Sequence, residues 1–382
     1  MANEAAGSAI VVIDGQRYER FTALRLKRSR EEATCSGTLV LSWPGLDGAS
    51  TTSLLAPAFV DGADCQIILD GQLAATATLD VRSSKGSPKT YELTLHFRGQ
   101  MSEHVDSSPR HETGQENRKS AVEIMKKLME GGKGQLIDKT TGTPKQMERF
   151  IIAEGESIER ACRRVAREFG MNFFENPEGN WVLTDMQTQS GAAQADLRLG
   201  RQFTNWTTKR DIGPRFKTCG VAASGIPTDK NYGKVCEGLF AQDFRQIPGA
   251  KELRGLVDGD HTKDSLGIRA ALEGVRRSSQ GLNVTLTMST WSDDGNNLWA
   301  VDNTYHVVIP VDQIDEDMKL SEVEFELTAD SRTASLTLIS KGDPSGGDVM
   351  FDKQDQPAYW PPTPQNMTPP PPAPSETPST GQ

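Results

Sequence analysis

Along much of the chain the apolar positions repeat every second residue, and in three places the period lengthens to that of a helix. Ile10 to Ile13 is a β-branched run that stops at Asp14-Gly15, a hairpin turn dipeptide. Thr38 to Leu41 and Cys65 to Leu69 are predicted as further short strands, the second ending at another such turn, Asp70-Gly71. Tyr91, Leu93, Leu95 and Phe97 alternate with Glu92, Thr94 and His96, so one face of that strand is buried. Short strands with regular turns predict a small barrel or sandwich over 1–100.

Residues 102–120 are polar, and a helix is predicted next, over about Lys119 to Glu130, ended by Gly131-Gly132. A second helix is predicted over Ser157 to Phe169. Its stripe of Ile158, Ala161, Cys162, Val165, Ala166 and Phe169 follows the helical period, and Gly170 stands at its stop. MNFFE, a turn at Asn176 to Asn180, and WVLTD then read as a hairpin packed behind that helix. From Arg201 to Asp260 only short strands are expected. A third helix is predicted over Asp264 to Ser279. Alternating strands follow at Leu282–Met288, Tyr305–Ile309, Glu322–Leu327 and Ala334–Ile339.

The expected fold class is therefore α+β, mostly β. Two small β-barrel-like domains flank a helix-plus-hairpin α/β domain, and a disordered Pro-rich tail ends the chain. The expected boundaries are 1–100, 101–200, 201–345 and 346–382. The third region is open to division into two subdomains, and strands distant in sequence could complete a barrel. The tail holds PPTP and PPPPAP with almost no apolar side chains, so it cannot bury a core. Extended at ~3.1 Å per residue, its proline-dense part would reach about 80 Å. It is read as a passive, solubilising end, with a tether as the alternative.

Charge and composition narrow the function. The chain has 382 residues, a net charge of -10 and a pI of about 5.2. Phosphate neutralisation needs clustered Lys and Arg, so general nucleic-acid binding is not expected. The N-terminus has no basic start and no long apolar core, and no apolar run reaches the ~18 residues of a membrane span. The five cysteines are widely spaced with no C-x-x-C pair, which suits reduced thiols in a protein folded in cytosol.

Candidate chemistry is sparse. Gly131-Gly132-Lys133-Gly134 suggests a phosphate loop, yet it follows a helix and lacks the G-x-x-x-x-G-K-[ST] spacing. His104, Asp106 and His111 lie close together, but a metal needs three or four converging ligands, and two loop histidines are more often solvated. Cys162 lies on an apolar stripe and reads as core; Cys35, in a turn-like stretch, is expected to be exposed. Asp293 to Asn297 lacks the calcium-loop spacing and reads as a tight hairpin between Trp291 and Trp299. No G-x-S-x-G elbow or H-E-x-x-H helix occurs. No catalytic, cofactor-binding or metal-ligating residue is assigned, and no cofactor is expected.

Four stretches together resemble the prophage tail gpP-like family of Mu-like baseplate hub proteins, and more distantly late control protein D. They are VVIDGQRYERFTALRLKRSREEATCSGTLVLS; DCQIILDGQLAATATLD with LTLHFRGQMSEHVDSS; FIIAEGESIERACRRVAREFGMNFFENPEGNWVLTD; and RAALEGVRRSSQGLNVTLTMSTWSDDGNNLWAVDNTYHVVIP. The resemblance covers roughly 8–342. Where the family has a Leu-Val-Asp-Cys-like step, this chain has His104-Val105-Asp106-Ser107. The resemblance implies a non-enzymatic, homotrimeric ring in the phage baseplate, assembled in the host cytoplasm. The ring would join the sixfold tail tube, or a tube-end adaptor, to the central threefold spike. Baseplate wedge proteins would be further partners. DNA would pass through the central channel without specific binding, and nothing would enter a membrane. A trimer with two similar domains per chain can match a sixfold partner with near-equivalent contacts, and negative charge along a channel would discourage DNA adhesion. A tail-tip cell-wall hydrolase is the alternative from another class. A type VI-like secretion spike component is a third, although the long repetitive β-helix usual there is missing from the sequence.

Overall fold

The computed structural model describes residues 9–44, 59–87, 90–141, 146–185, 193–213, 216, 218–224, 235–241, 252–256 and 263–340. The proline-rich segment expected to be disordered lies outside them.

The first hundred residues form β1 (Ala9–Ile13), β2 (Gln16–Tyr18), β3 (Ala23–Ser29), β4 (Ser36–Pro44), β5 (Asp64–Leu69), β6 (Gln72–Gly86) and β7 (Thr90–Gly99). The two Asp-Gly steps turn the chain as expected. Asp14 and Gly15 have φ of 48° and 77°, and Asp70 and Gly71 have 49° and 77°. Two successive left-handed residues are what a type I′ hairpin requires. The middle of the chain contains α1 (Ser102–Asp106), β8 (Gln115–Ser120), α2 (Ala121–Leu128), β9 (Leu136–Asp138), β10 (Gln146–Ile151), α3 (Ile158–Glu168), β11 (Met171–Glu175) and β12 (Trp181–Asp185). Then come β13 (Asp196–Arg198), β14 (Asn205–Arg210), β15 (Thr218–Ser224), β16 (Val235–Ala241), β17 (Glu252–Leu256), α4 (Lys263–Ser279), β18 (Leu282–Met288), β19 (Thr304–Ile309), β20 (Ile314–Thr328) and β21 (Arg332–Ser340).

The three predicted helices form at their expected places. A capping box starts α2: the Glu123 amide donates to Ser120 Oγ at 3.3 Å, and the Ser120 amide donates to Glu123 Oε2 at 2.8 Å. Ser157 caps α3 by accepting from the Arg160 amide at 3.3 Å. Gly170, at φ 68°, ends it. The polar stretch 102–120 contains α1 and β8, which its composition did not suggest.

Thirteen strands form one sheet, in the order β14-β18-β21-β20-β3-β4-β7-β6-β5-β1-β2, with β19 on β20 and β13 on β19. The N-terminal and C-terminal strands are thus parts of one ladder, and the expected barrel-like units do not close. The joint is β20. Its first half, Ile314–Lys319, pairs with β19, and its second half, Glu322–Thr328, pairs with β3. A register shift against β21 falls between Leu320 and Glu322, where the strand changes partner. A strand edge shared this way continues the sheet instead of closing it. The first half of β20, with Asp315 and Asp317 beside His306, was not foreseen as strand because its charged face hides the alternation.

One apolar core underlies the whole of this sheet, from Val11, Leu39 and Leu95 to Trp291, Tyr305 and Leu338. A second core is built on α2 and α3, around Met125, Val165, Phe173 and Trp181. The β11–β12 hairpin divides its side chains between them: Phe173, Trp181 and Leu183 join the helices, whereas Phe174 and Val182 join the sheet core. Both faces are covered, which is why these strands read as continuous apolar runs and do not alternate. The mostly β, α+β class is as expected.

Candidate functional site

The residues singled out by sequence go to separate places. His104 lies in α1 and is buried; its Nε2 is 2.8 Å from the Lys133 carbonyl, and its ring packs 5.3 Å from Trp181. Asp106 is exposed and forms a two-pronged pair with Arg98 at 2.7 and 3.1 Å. His111 accepts at Nδ1 from the Gly114 amide at 3.1 Å, so its proton is on Nε2, facing Glu116 Oε1 at 2.8 Å. Three residues with three different partners make no common coordination point. Among the described residues no group of three or more His, Cys, Asp or Glu could hold a metal ion.

The glycine loop serves packing. Gly131, at φ 87°, follows α2, and a Cβ on Gly132 would overlap the His104 ring. Lys133 pairs with Asp64 at 3.1 Å. Asp293 Oδ1 caps its own turn, accepting from the amides of Gly295 at 2.9 Å and Asn297 at 2.8 Å. The Trp299 amide donates to the Trp291 carbonyl at 3.1 Å, which closes the hairpin expected there. Cys162 is fully buried in the second core, and burial pushes its thiol well up. Cys35 corrects an expectation: it is buried, not exposed, and burial raises its thiol strongly. The turn-like residues before it are covered by the β11–β12 hairpin, which no local signal in that stretch announces. Among the described residues no helix is long and apolar enough to cross a membrane.

Sequence reasoning missed the charged residues of the junction. Glu175, at the end of β11, is buried, and its carboxylate accepts from the Cys35 amide at 2.7 Å, the Met101 amide at 2.9 Å and Thr34 Oγ1 at 3.0 Å. Burial raises its carboxyl from the ordinary value, and the two amides oppose that rise. Arg28 is buried beside it and donates to the Glu175 carbonyl at 3.3 Å. Trp181 Nε1 donates to the Ala33 carbonyl at 2.6 Å. The segment 28–35, the end of β3 and the chain that follows it, is therefore bound to the α/β unit at several points. On the other side, Asp302, in a left-handed conformation at φ 73°, meets Arg30 Nε at 2.7 Å and Lys319 Nζ at 2.8 Å. The Arg30 amide also donates to the Ser321 carbonyl at 2.7 Å. The only sequence signal was the basic run LRLKRSR in a strand context, which reads equally well as a solvated face. This arrangement binds structural units together; it does not assemble a nucleophile with a base.

No protein-family model matches the sequence, and no curated protein matches it either. Solved structures do match. The chain superposes on the 43 kDa tail protein of prophage MuSo2 from Shewanella oneidensis with a TM-score of 0.74 at 20% identity, over 88% of this chain and 99% of that one. The tail protein from Neisseria meningitidis MC58 matches with a TM-score of 0.73 at 18% identity, over 89% and 97%. A component of the E. coli type VI secretion system matches at 0.53 and 10% identity, over 86% and 76%. The chain thus has the fold of prophage tail proteins, and the likeness to a Mu-like tail protein expected from its sequence is met in the fold.

Proposed function

We propose that the chain is a structural protein of a contractile phage tail, a non-enzymatic baseplate hub in the virion. The observation that carries this reading is the fold likeness to the Shewanella prophage tail protein over 99% of that protein's length. Three copies would form a ring joining the sixfold tail tube to the threefold spike, with a central channel for DNA. The N-terminal and C-terminal groups of strands that meet at β3 and β20 support this, because three such chains would offer six groups of strands around one axis. The net charge of -10 suits a channel that DNA must pass without adhering. The tube or its adaptor, the spike and the wedge proteins would be the partners. His104, His111, Cys35 and Cys162 serve packing or local hydrogen bonds, which supports the non-enzymatic assignment.

Electron-microscope class averages of the concentrated protein, alone and with its spike protein, test this. Rings with a central hole and threefold or apparent sixfold symmetry are expected. Compact monomers that stay ringless when the spike is added would refute the proposal.

A further inference from the structure

We propose that the pocket between α3, α4 and the β3–β20 junction binds a phosphate-type oxyanion. The pocket has a volume of about 60 Å³, several times the ~10–15 Å³ that a single water needs. Its charged lining is one-sided: Arg30, Arg163, Arg167, Arg276 and Lys319 against the single carboxylate of Glu31.

Most of these cations are already paired with carboxylates outside the lining, and Arg163 Nη2 also donates to the Glu31 carbonyl at 2.9 Å. Glu159 holds Arg163, and Glu273 holds Arg276 at 2.9 Å while also meeting Arg277 at 2.8 Å. Asp302 uses one oxygen for both Arg30 and Lys319, which leaves that trio with net positive charge. Arg30 is the independent pointer to a ligand. Its side chain is only 7% exposed, and its Nη2 is buried with no hydrogen-bond partner among the described residues. A buried guanidinium nitrogen left without an acceptor is costly, and because Arg30 lines the pocket, a shift of its side chain onto a bound anion would remove that cost.

The geometry favours a tetrahedral oxyanion over a carboxylate. The cations come from four directions: the chain after β3, two positions on α3, one on α4 and one on β20. A carboxylate has two oxygens in one plane, whereas a phosphate offers oxygens on every side to guanidinium forks. An anion here would tie α3, α4 and the sheet together, and would stabilise the fold by linkage. The inference stands on these residues alone and does not depend on the assembly proposed above.

Calorimetric titration and thermal unfolding of the full chain, with sodium phosphate against sodium chloride at matched ionic strength, provide the test. Saturable phosphate binding and a raised Tm are expected, with acetate weaker. Arg30→Met should weaken binding by about tenfold or more. Because Arg30 is buried, Arg167→Gln at the exposed mouth serves as the variant that leaves the fold intact, and it should weaken binding several-fold. A short single-stranded oligonucleotide that competes with phosphate would identify a phosphodiester as the source; no competition would identify the free ion. No saturable binding up to about 10 mM phosphate, acetate binding as tightly as phosphate, or unchanged affinity in Arg167→Gln would overturn the proposal.

Discussion

Glu175 ties two separate stretches of chain to its own strand, so removing it tests how the α/β unit is held to the N-terminal strands. In Glu175→Ala the amides of Cys35 and Met101 lose their acceptor, as does the Thr34 hydroxyl. Each buried amide left unpaired costs about 1–3 kcal/mol, or ~2–6 kcal/mol for the two. Part of this is offset, because the native carboxylate is itself penalised by burial and its removal relieves that penalty. The expected net loss is about 3 kcal/mol for alanine, and roughly half that for glutamine, which keeps one carbonyl oxygen as an acceptor. Urea unfolding curves give the free energies, and amide hydrogen exchange at residues 35 and 101 locates the change. If both variants stay within about 0.5 kcal/mol of the parent, and the two amides exchange no faster, then Glu175 does not hold the junction.

Three further predictions concern packing and charge. Gly37 lies in β4 where a Cβ would overlap the Phe97 ring and stand 2.6 Å from the Arg25 carbonyl. Gly37→Ala should therefore lose about 1–3 kcal/mol in a urea titration, whereas Gly86→Ala, on an exposed strand end, should be nearly neutral. The thiols of Cys35, Cys65 and Cys162 are buried and raised, Cys65 to about 12. Alkylation at pH 8 followed by peptide mass mapping should find them unmodified in the native protein and labelled in urea; native labelling of any of them would contradict the burial described. For Glu273, burial acts to raise the carboxyl, but Arg276 and Arg277 outweigh it and bring it down to about 2. A depressed folded value means stability that is complete above the unfolded value near 4.5 and lost as pH falls toward 2. Solvent screening of this partly exposed group keeps the loss to about 1–2 kcal/mol across that window, and Glu273→Gln should flatten that part of the stability-against-pH curve.

The elements whose evidence is local were legible in the chain. Asp14-Gly15 and Asp70-Gly71 turn because aspartate and glycine tolerate left-handed φ, a property of two adjacent residues. The helices α2 and α3 declare themselves by a stripe and a serine cap, and β18 by strict alternation. The likeness to a tail-protein family was legible too, because it rests on the order and spacing of such pieces. The charged junction was not legible. Glu175 ends an apolar strand at an Asn-Pro turn, where any carboxylate would ordinarily be solvated. Its burial comes from Cys35 and Met101, which are 140 and 74 residues away in the chain. Arg30, Asp302 and Lys319 meet only because β20 changes partner midway from β19 to β3. Turns and caps depend on energies within a few residues, and those are written in the local sequence. Which side chains lose their water depends on contacts across the whole fold, and those exist only once the sheet has formed.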